Sequence, residues 1–338
     1  MTPEQIHKLI SEGEFPETSS GRELIETHIS WVILCDEFVY KIKKPIRYSF
    51  LDFYTVERRK HYCDRELELN RRFAPDIYLG VFPVHEVNGK LMIGEHYGTP
   101  VDYALKMRKL NPERRLDKLL SQGSITREHI ISLAIWIADF HKKSTVIREK
   151  DVLDVGVKFN DLATQKPLIS AQLGEARARI IDWSVEVSDM FLRKNEALLT
   201  ERLKAGFFRD CHGDLHSRNI FMLPAPQPFD CLEFNDDYRQ IDVLNEVAFL
   251  CMDLDAFEKH TLSNLCIQYY NLHFPAMRTA EERDLFVYYK AYRANVRAKV
   301  NSLRAGSESD KGKKQRMLAE TLKYLNMMEA YLQSLALA

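Results

Sequence analysis

Apolar residues fall in short β-rich runs through the first third of the chain and at helical spacing through most of the remainder, which predicts a small mixed lobe followed by a larger helical one. Ile29 to Leu34 and Phe38 to Ile42 are separated by Cys35-Asp36-Glu37 and predict a hairpin in which Val39, Lys41 and Lys43 share one strand face. Thr55-Val56-Glu57 opens a charged helix that runs toward Ala74-Pro75, where the proline helps to end it. Cys63 and Leu67 form its apolar stripe, with Glu66 beside them. Tyr78 to Val87, the turn Asn88-Gly89 and Leu91 to Ile93 predict a second hairpin, and Tyr103 to Met107 a further strand.

Beyond residue 112 helices dominate. Thr126 caps a run in which Ile130, Leu133, Ala134, Ile137 and Phe140 recur at helical spacing. Residues 146 to 170 have mixed polarity, with Gly156 and Pro167, and read as a variable connection. Helical patterns return from Ala171 to Lys204, Ile241 to Phe257 and Arg283 to Leu303, and an exposed loop around Gly306 to Gly312 precedes one last helix. Two short apolar segments interrupt this pattern, Asn219 to Leu223 and Pro228 to Leu232. The Pro224-Ala225-Pro226-Gln227-Pro228 turn between them would return Asp230 to the side of Asn219.

A chain of 338 residues with 45% hydrophobic content can bury a large core, and this size suits two lobes around a cleft. The net charge of -1 predicts no general affinity for nucleic acid or membrane. The 6 cysteines, at positions 35, 63, 211, 231, 251 and 266, show no CxxC or zinc spacing and read as buried thiols of a reducing, cytoplasmic compartment. No signal peptide, spanning apolar run, GxxxxGK[ST] sequence or internal repeat is evident. Oligomeric state is not legible.

The candidate chemistry is concentrated in Cys211-His212-Gly213-Asp214-Leu215-His216-Ser217-Arg218-Asn219-Ile220 and in Phe229-Asp230-Cys231-Leu232-Glu233-Phe234. A carboxylate, a carboxamide and a second carboxylate follow one another here. Phosphoryl transfer to a hydroxyl needs one carboxylate to orient the hydroxyl and accept its proton, and an amide oxygen with another carboxylate to hold Mg²⁺ against the ATP phosphates. Asp214, Asn219 and Asp230 suit those three tasks. Singly, Asp and Asn are common turn formers; their order is the more specific signal.

These two segments resemble the aminoglycoside phosphotransferase-like family of the protein-kinase-like superfamily, and in particular an uncharacterised bacterial group whose members are sometimes fused to a P-loop ATPase domain. The resemblance extends to His28-Ile29-Ser30-Trp31-Val32, Tyr40-Lys41-Ile42-Lys43-Lys44-Pro45, Phe50-Leu51-Asp52-Phe53, Glu66-Leu67-Glu68-Leu69-Asn70-Arg71-Arg72 and Asn235-Asp236. It implies a bilobal α+β protein-kinase-like fold, with residues 1–107 as the N-lobe, 108–112 as the hinge and 113–338 as the helical C-lobe. It implies a phosphate-positioning lysine at Lys41, with Lys43 as the alternative or either as a merely solvated strand edge. The glutamate supporting that lysine is Glu66, with Asp64 as the alternative. Backbone between Lys106 and Leu110, including Met107 and Arg108, becomes the adenine contact. Asp242 resembles the aspartate that pins the catalytic loop, although an N-cap serves equally well, and His212 shapes the loop. Arg293 and Arg297, one helical turn apart, could reach a substrate or cover the surface, and the surface reading is the preferred one. One element departs from the pattern: Glu26-Thr27-His28-Ile29-Ser30 stands where a GxGxxG loop is expected.

The expectation is therefore a kinase that uses ATP and Mg²⁺ to phosphorylate a hydroxyl of a small molecule. A protein acceptor is disfavoured because no Ala-Pro-Glu segment follows Asp230. Residues 281 to 338 hold 11 basic and 7 acidic side chains, so the acceptor is expected to be neutral or anionic, such as a sugar or a phosphorylated metabolite, and not a typical aminoglycoside. Two alternatives are a non-catalytic nucleotide-binding pseudokinase, suggested by the missing glycine loop, and a metallophosphoesterase with His212, Asp214 and His216 as ligands.

Overall fold

A computed structural model describes residues 1–48, 51–95 and 98–336; Phe50, part of one motif quoted above, lies outside them. The chain divides into two compact units, Met1–Lys118 with Asn219–Tyr238, and Leu119–Arg218 with Arg239–Ala338. The first is built on an antiparallel sheet and the second is mainly helical. Together they make a mixed α+β architecture of the protein-kinase-like kind.

In chain order the first unit contains α1 (Pro3–Glu12), β1 (Glu23–Glu26), β2 (Ser30–Leu34), β3 (Phe38–Lys43), β4 (Arg47–Tyr48), β5 (Leu51–Asp52), α2 (Val56–Arg71), β6 (Tyr78–Val87), β7 (Lys90–Ile93) and β8 (Asp102–Arg108). Six strands form one sheet in the order β1-β2-β3-β8-β6-β7. Both expected hairpins are present, the second closing through Asn88 and Gly89 at φ 50° and 76°, values that asparagine and glycine tolerate. Edge strand β1, half-exposed at Leu24 and otherwise solvent-facing, was not legible as a strand. On β3 the pleat sends Tyr40 and Ile42 into the apolar core that α1 covers with Ile6 and Leu9. Lys41 and Lys43 consequently face the other way.

After α3 (Leu116–Ser121), the helical unit runs through α4 (Arg127–Lys143), α5 (Asp154–Asn160), α6 (Lys166–Leu173), α7 (Glu175–Lys194), α8 (Glu196–Lys204) and β9 (Phe208–Asp210). The chain then re-enters the first unit as a ribbon of β10 (Ile220–Met222) and β11 (Pro226–Pro228). It continues with β12 (Gln240–Asp242), which pairs with β9, and then α9 (Val243–Ala256), α10 (His260–His273), α11 (Ala280–Ser307) and α12 (Lys311–Ala336). Every residue of α9 is buried, and α10 and α11 pack against it. Residues 146 to 170 are largely helical, against expectation. Pro167 sits in the first turn of α6, where the missing N–H is harmless, and a Cβ at Gly156 would lie 2.7 Å from Leu192, so that glycine lets α5 approach α7. Among the described residues no helix is long and apolar enough to cross a membrane.

Candidate active site

The first unit gathers a charged cluster on the α2 face of β3. Helix α2, capped by Thr55, buries Cys63, Glu66, Leu69 and Asn70, so Glu66 lies on the buried stripe itself. Its carboxylate bridges two ammonium groups, with Lys41 Nζ 2.8 Å from Oε1 and Lys43 Nζ 2.7 Å from Oε2. Lys41 also reaches Asp230 Oδ1 at 2.8 Å, whereas Lys43 pairs with Glu233. Burial would raise the Glu66 carboxyl, but the two lysines bring it down to about 2. Glu233 moves upward, because burial outweighs its lysine partner and Glu66 adds like charge. The two lysines differ in access: the Lys43 side chain is 1% exposed, while Asp230, the partner of Lys41, is 44% exposed. Asp64 is exposed and pairs with Lys60 at 2.7 Å, away from this cluster.

Asp230 is held by its flanks. Asn219 accepts the Phe229 N–H through its carbonyl at 3.0 Å, Tyr78 Oη accepts the Asp230 N–H at 2.9 Å, and Asn70 Oδ1 accepts the Cys231 N–H at 2.8 Å. Asp230 itself adopts φ 61°, a conformation costly for a non-glycine residue and often found where function fixes the backbone. The second strand of this ribbon is Pro226–Pro228, earlier than the 228–232 expected, so Asp230 follows the strand and is free to turn. A carboxylate and a carboxamide are hard oxygen donors that fit Mg²⁺ better than Zn²⁺.

Strand β8 carries Lys106, Met107 and Arg108 within the sheet. The Lys106 ammonium is turned to Glu17 and to the ring of Phe38, 4.1 Å from its centroid, away from the Lys41 cluster. The N–H groups of Arg108 and Lys109 are spent on Ile77 and Glu37 carbonyls, so a base contact from this segment would use its other backbone groups.

In the helical unit, Asp214 stands on a loop tied down from beneath. Glu246 of α9 accepts the N–H groups of His212 and Gly213 at 2.6 and 3.0 Å, and Asp253 accepts the Ser217 N–H at 2.8 Å. Arg293 of α11 donates to the Gly213 carbonyl at 3.1 Å and to Asn245 at 2.7 Å. Gly213 has φ 86°, which permits the tight turn before Asp214. His212 Nδ1 accepts the Asp214 N–H at 3.3 Å, the shaping role expected of it. His216 Nε2 lies 3.5 Å from Asp214 Oδ2. Burial pushes the Asp214 carboxyl up, but His216, His212 and Arg297 outweigh it and hold the group well below the usual carboxylate range.

Three readings are decided here. Of the two for Asp242, the N-cap holds: it caps α9 and forms a buried pair with Arg202 at 2.6 Å, while the carboxylate that holds the loop is Glu246. Arg293 and Arg297 are 4% and 7% exposed, not surface residues, because α11 lies between α9 and α12. Among the described residues, the acid, thiol and imidazole groups close enough to share a metal are His141, Cys211 and Glu246, all buried, and His212, Asp214 and His216 form no such group. Glu246 and Asp253 were missed; acidic residues inside the otherwise apolar run of α9 were the available signal. All six cysteines are buried thiols, as expected, and none is in a disulfide among the described residues.

No protein-family model matches the chain. Uncharacterised proteins of Mycobacterium tuberculosis and Mycobacterium bovis are 30% identical over 285 residues, covering 82% of this chain and 54% of theirs. The chain thus spans about half the length of the curated relatives it matches. Among solved structures, a choline kinase from Cryptosporidium parvum aligns at a TM-score of 0.55 with 10% identity, over 93% of this chain and 90% of that one. A choline/ethanolamine kinase family protein from Mesorhizobium loti aligns at 0.51 with 13% identity, over 97% and 98%. An ADP-bound aminoglycoside phosphotransferase aligns at 0.47 with 15% identity, over 96% and 97%. For the first two of these structures, at such identities, it is the fold that is shared.

Proposed function

We propose that the protein is an ATP-dependent phosphotransferase that moves the γ-phosphoryl group to a hydroxyl of a small molecule. The observation that carries this is the Lys41 ammonium, shared between buried Glu66 and accessible Asp230, which follows directly on the strand paired to the Asn219 segment. Lys41 positions the nucleotide phosphates with Glu66 as its support, and Asp230 and Asn219 hold Mg²⁺, which when bound offsets the phosphate charge. Asp214, ionised because its imidazole and guanidinium neighbours favour the anion, orients the acceptor hydroxyl and accepts its proton. Catalysis is positioning and charge neutralisation, without a covalent enzyme intermediate. Backbone between Lys106 and Leu110 reads the base, and residues 113–338 supply the acceptor side.

The shared fold of two small-molecule kinases supports a small acceptor, and the basic excess in the last two helices argues against an aminoglycoside. Buried thiols that form no disulfide among the described residues are in keeping with a cytoplasmic enzyme. ATP consumption across a metabolite library, run beside Asp214→Ala, tests the proposal: an acceptor that stimulates only the wild type supports it, and equal consumption by both proteins refutes it. Efficient, Asp214-dependent phosphorylation of kanamycin would overturn the statement about aminoglycosides.

A further inference from the structure

Helix α11 carries Arg293, Arg297, Asn301 and Arg304 at steps of four, four and three residues, which puts all four within ~80° of its circumference. Arg293 spends Nε and Nη1 on Asn245 and Gly213, while its buried Nη2 has no hydrogen-bond partner among the described residues. Farther along the face, Arg297 and Asn301 are 7% and 6% exposed; Arg297 hydrogen-bonds Tyr324, yet its Nε, like Asn301 Nδ2, has no hydrogen-bond partner among the described residues. A buried donor left unpaired is costly, so neighbouring unpaired donors on one helix face mark a place built for a ligand that accepts hydrogen bonds.

The surroundings give that ligand its sign. Arg297 stacks over Tyr324, 5.5 Å from the ring centroid, and lies within electrostatic reach of Asp214 and Asp253. Arg304 is within reach of Arg297, Arg218 and Asp214, and both Arg304 and Arg218 are exposed. Of the two carboxylates, Asp253 is engaged by the Ser217 N–H and Asp214 is half-exposed. The guanidinium groups of Arg297 and Arg304 therefore lie within electrostatic reach of Asp214, with Arg218 within reach of Arg304, an arrangement that repels an ammonium and attracts an anion.

We propose that Arg297, Asn301 and Arg304 form an anion subsite beside Asp214, and that the acceptor is a hydroxyl compound bearing a phosphate monoester or a carboxylate. The subsite stands on the helix face and its unpaired donors; only its assignment to the acceptor rests on the phosphotransferase reading. Calorimetry with inorganic phosphate, on intact protein saturated with ADP and Mg²⁺, tests the subsite. Saturable binding weakened ~10-fold or more by Arg304→Ala and by Arg297→Gln is expected for the loss of a charge-assisted bond, with ADP affinity unchanged. Arg304 is exposed, so its variant reports binding even where Arg297→Gln disturbs packing.

Turnover on matched sets of a neutral polyol, its phosphate monoester and its acid tests the assignment. The anionic members should be preferred, and Arg304→Ala should raise the acceptor KM and leave the KM for ATP unchanged. Phosphate binding that is absent or indifferent to Arg304→Ala overturns the subsite. Parallel loss of ADP affinity reassigns the arginines to the nucleotide, and preference for neutral or cationic acceptors overturns the acceptor class. Intact phosphate binding without Asp214-dependent turnover on any compound fails the phosphotransferase reading and not the subsite.

Discussion

Replacing Lys43 with methionine should cost folding free energy, whereas replacing Lys41 should chiefly cost function, although the two lysines are one strand position pair apart and share Glu66. Lys43 is fully buried, as is Glu66, and Glu233 is 6% exposed. Lys43→Met leaves Glu66, Glu233 and Asp230 with Lys41 as the remaining ammonium of the cluster. Removing one partner of a buried ion pair costs about 3–5 kcal/mol. The lower end applies here, because the Glu233 carboxyl, displaced upward first by burial, can take up a proton. The variant's native state then binds a proton that its unfolded state does not, so its deficit should grow as pH rises and shrink in acid. Lys41→Met leaves Glu66 paired to Lys43 and Asp230 open to water, so its cost should be about 1–3 kcal/mol, with a ~100-fold or larger loss of turnover. Urea unfolding at pH 5 and pH 8 separates the two variants, and Lys43→Met with Glu233→Gln should recover much of the lost stability. Lys43→Met as stable as wild type at pH 8, with Lys41→Met the less stable of the two, would refute this division of labour.

Asp230→Ala and Asn219→Ala should each weaken the Mg²⁺ dependence of ADP binding, read by calorimetry with and without the ion, and unchanged Mg-ADP affinity in both would remove them as ligands. Glu246, pushed up to about 7 by burial from the ordinary value of 4.5, keeps its proton in the native state through a range where the unfolded chain has lost it. It should therefore erode stability as pH rises between those values, and Glu246→Gln should flatten that slope in urea titrations. Glu66, brought down to about 2, should contribute stability that is present above pH 4.5 and lost as pH falls toward 2, so Glu66→Gln should remove an acid-side decline that leaves the Glu246 window untouched.

The order of Asp214, Asn219 and Asp230 proposes their tasks in phosphoryl transfer, and the shared face of Lys41 and Lys43, bridged by Glu66, was legible from strand parity. What joins distant segments was not. Glu246 and Asp253 hold the Asp214 loop from a helix whose apolar run suggests only core. Arg293 and Arg297 read as surface because arginine usually is, and helical spacing does not disclose that α12 would cover that face. Gly156 and Pro167 read as breakers, yet one admits a close helix contact and the other occupies a first turn. Helix α10, with Leu265, Cys266, Ile267 and Tyr270 buried, had no distinct cap to announce it.

Phosphoryl transfer itself is read by following the γ-phosphoryl group of labelled ATP into small molecules, with Mg²⁺ present, using wild type and Asp214→Asn. The wild type should form a labelled phosphate ester, and Asp214→Asn should lose ~100-fold or more of that turnover while still binding Mg-ATP. Nucleotide binding without transfer to any acceptor would contradict the phosphotransferase reading and indicate a pseudokinase, and Zn²⁺-dependent hydrolysis of phosphate esters abolished by His216→Ala would contradict it in favour of a phosphoesterase.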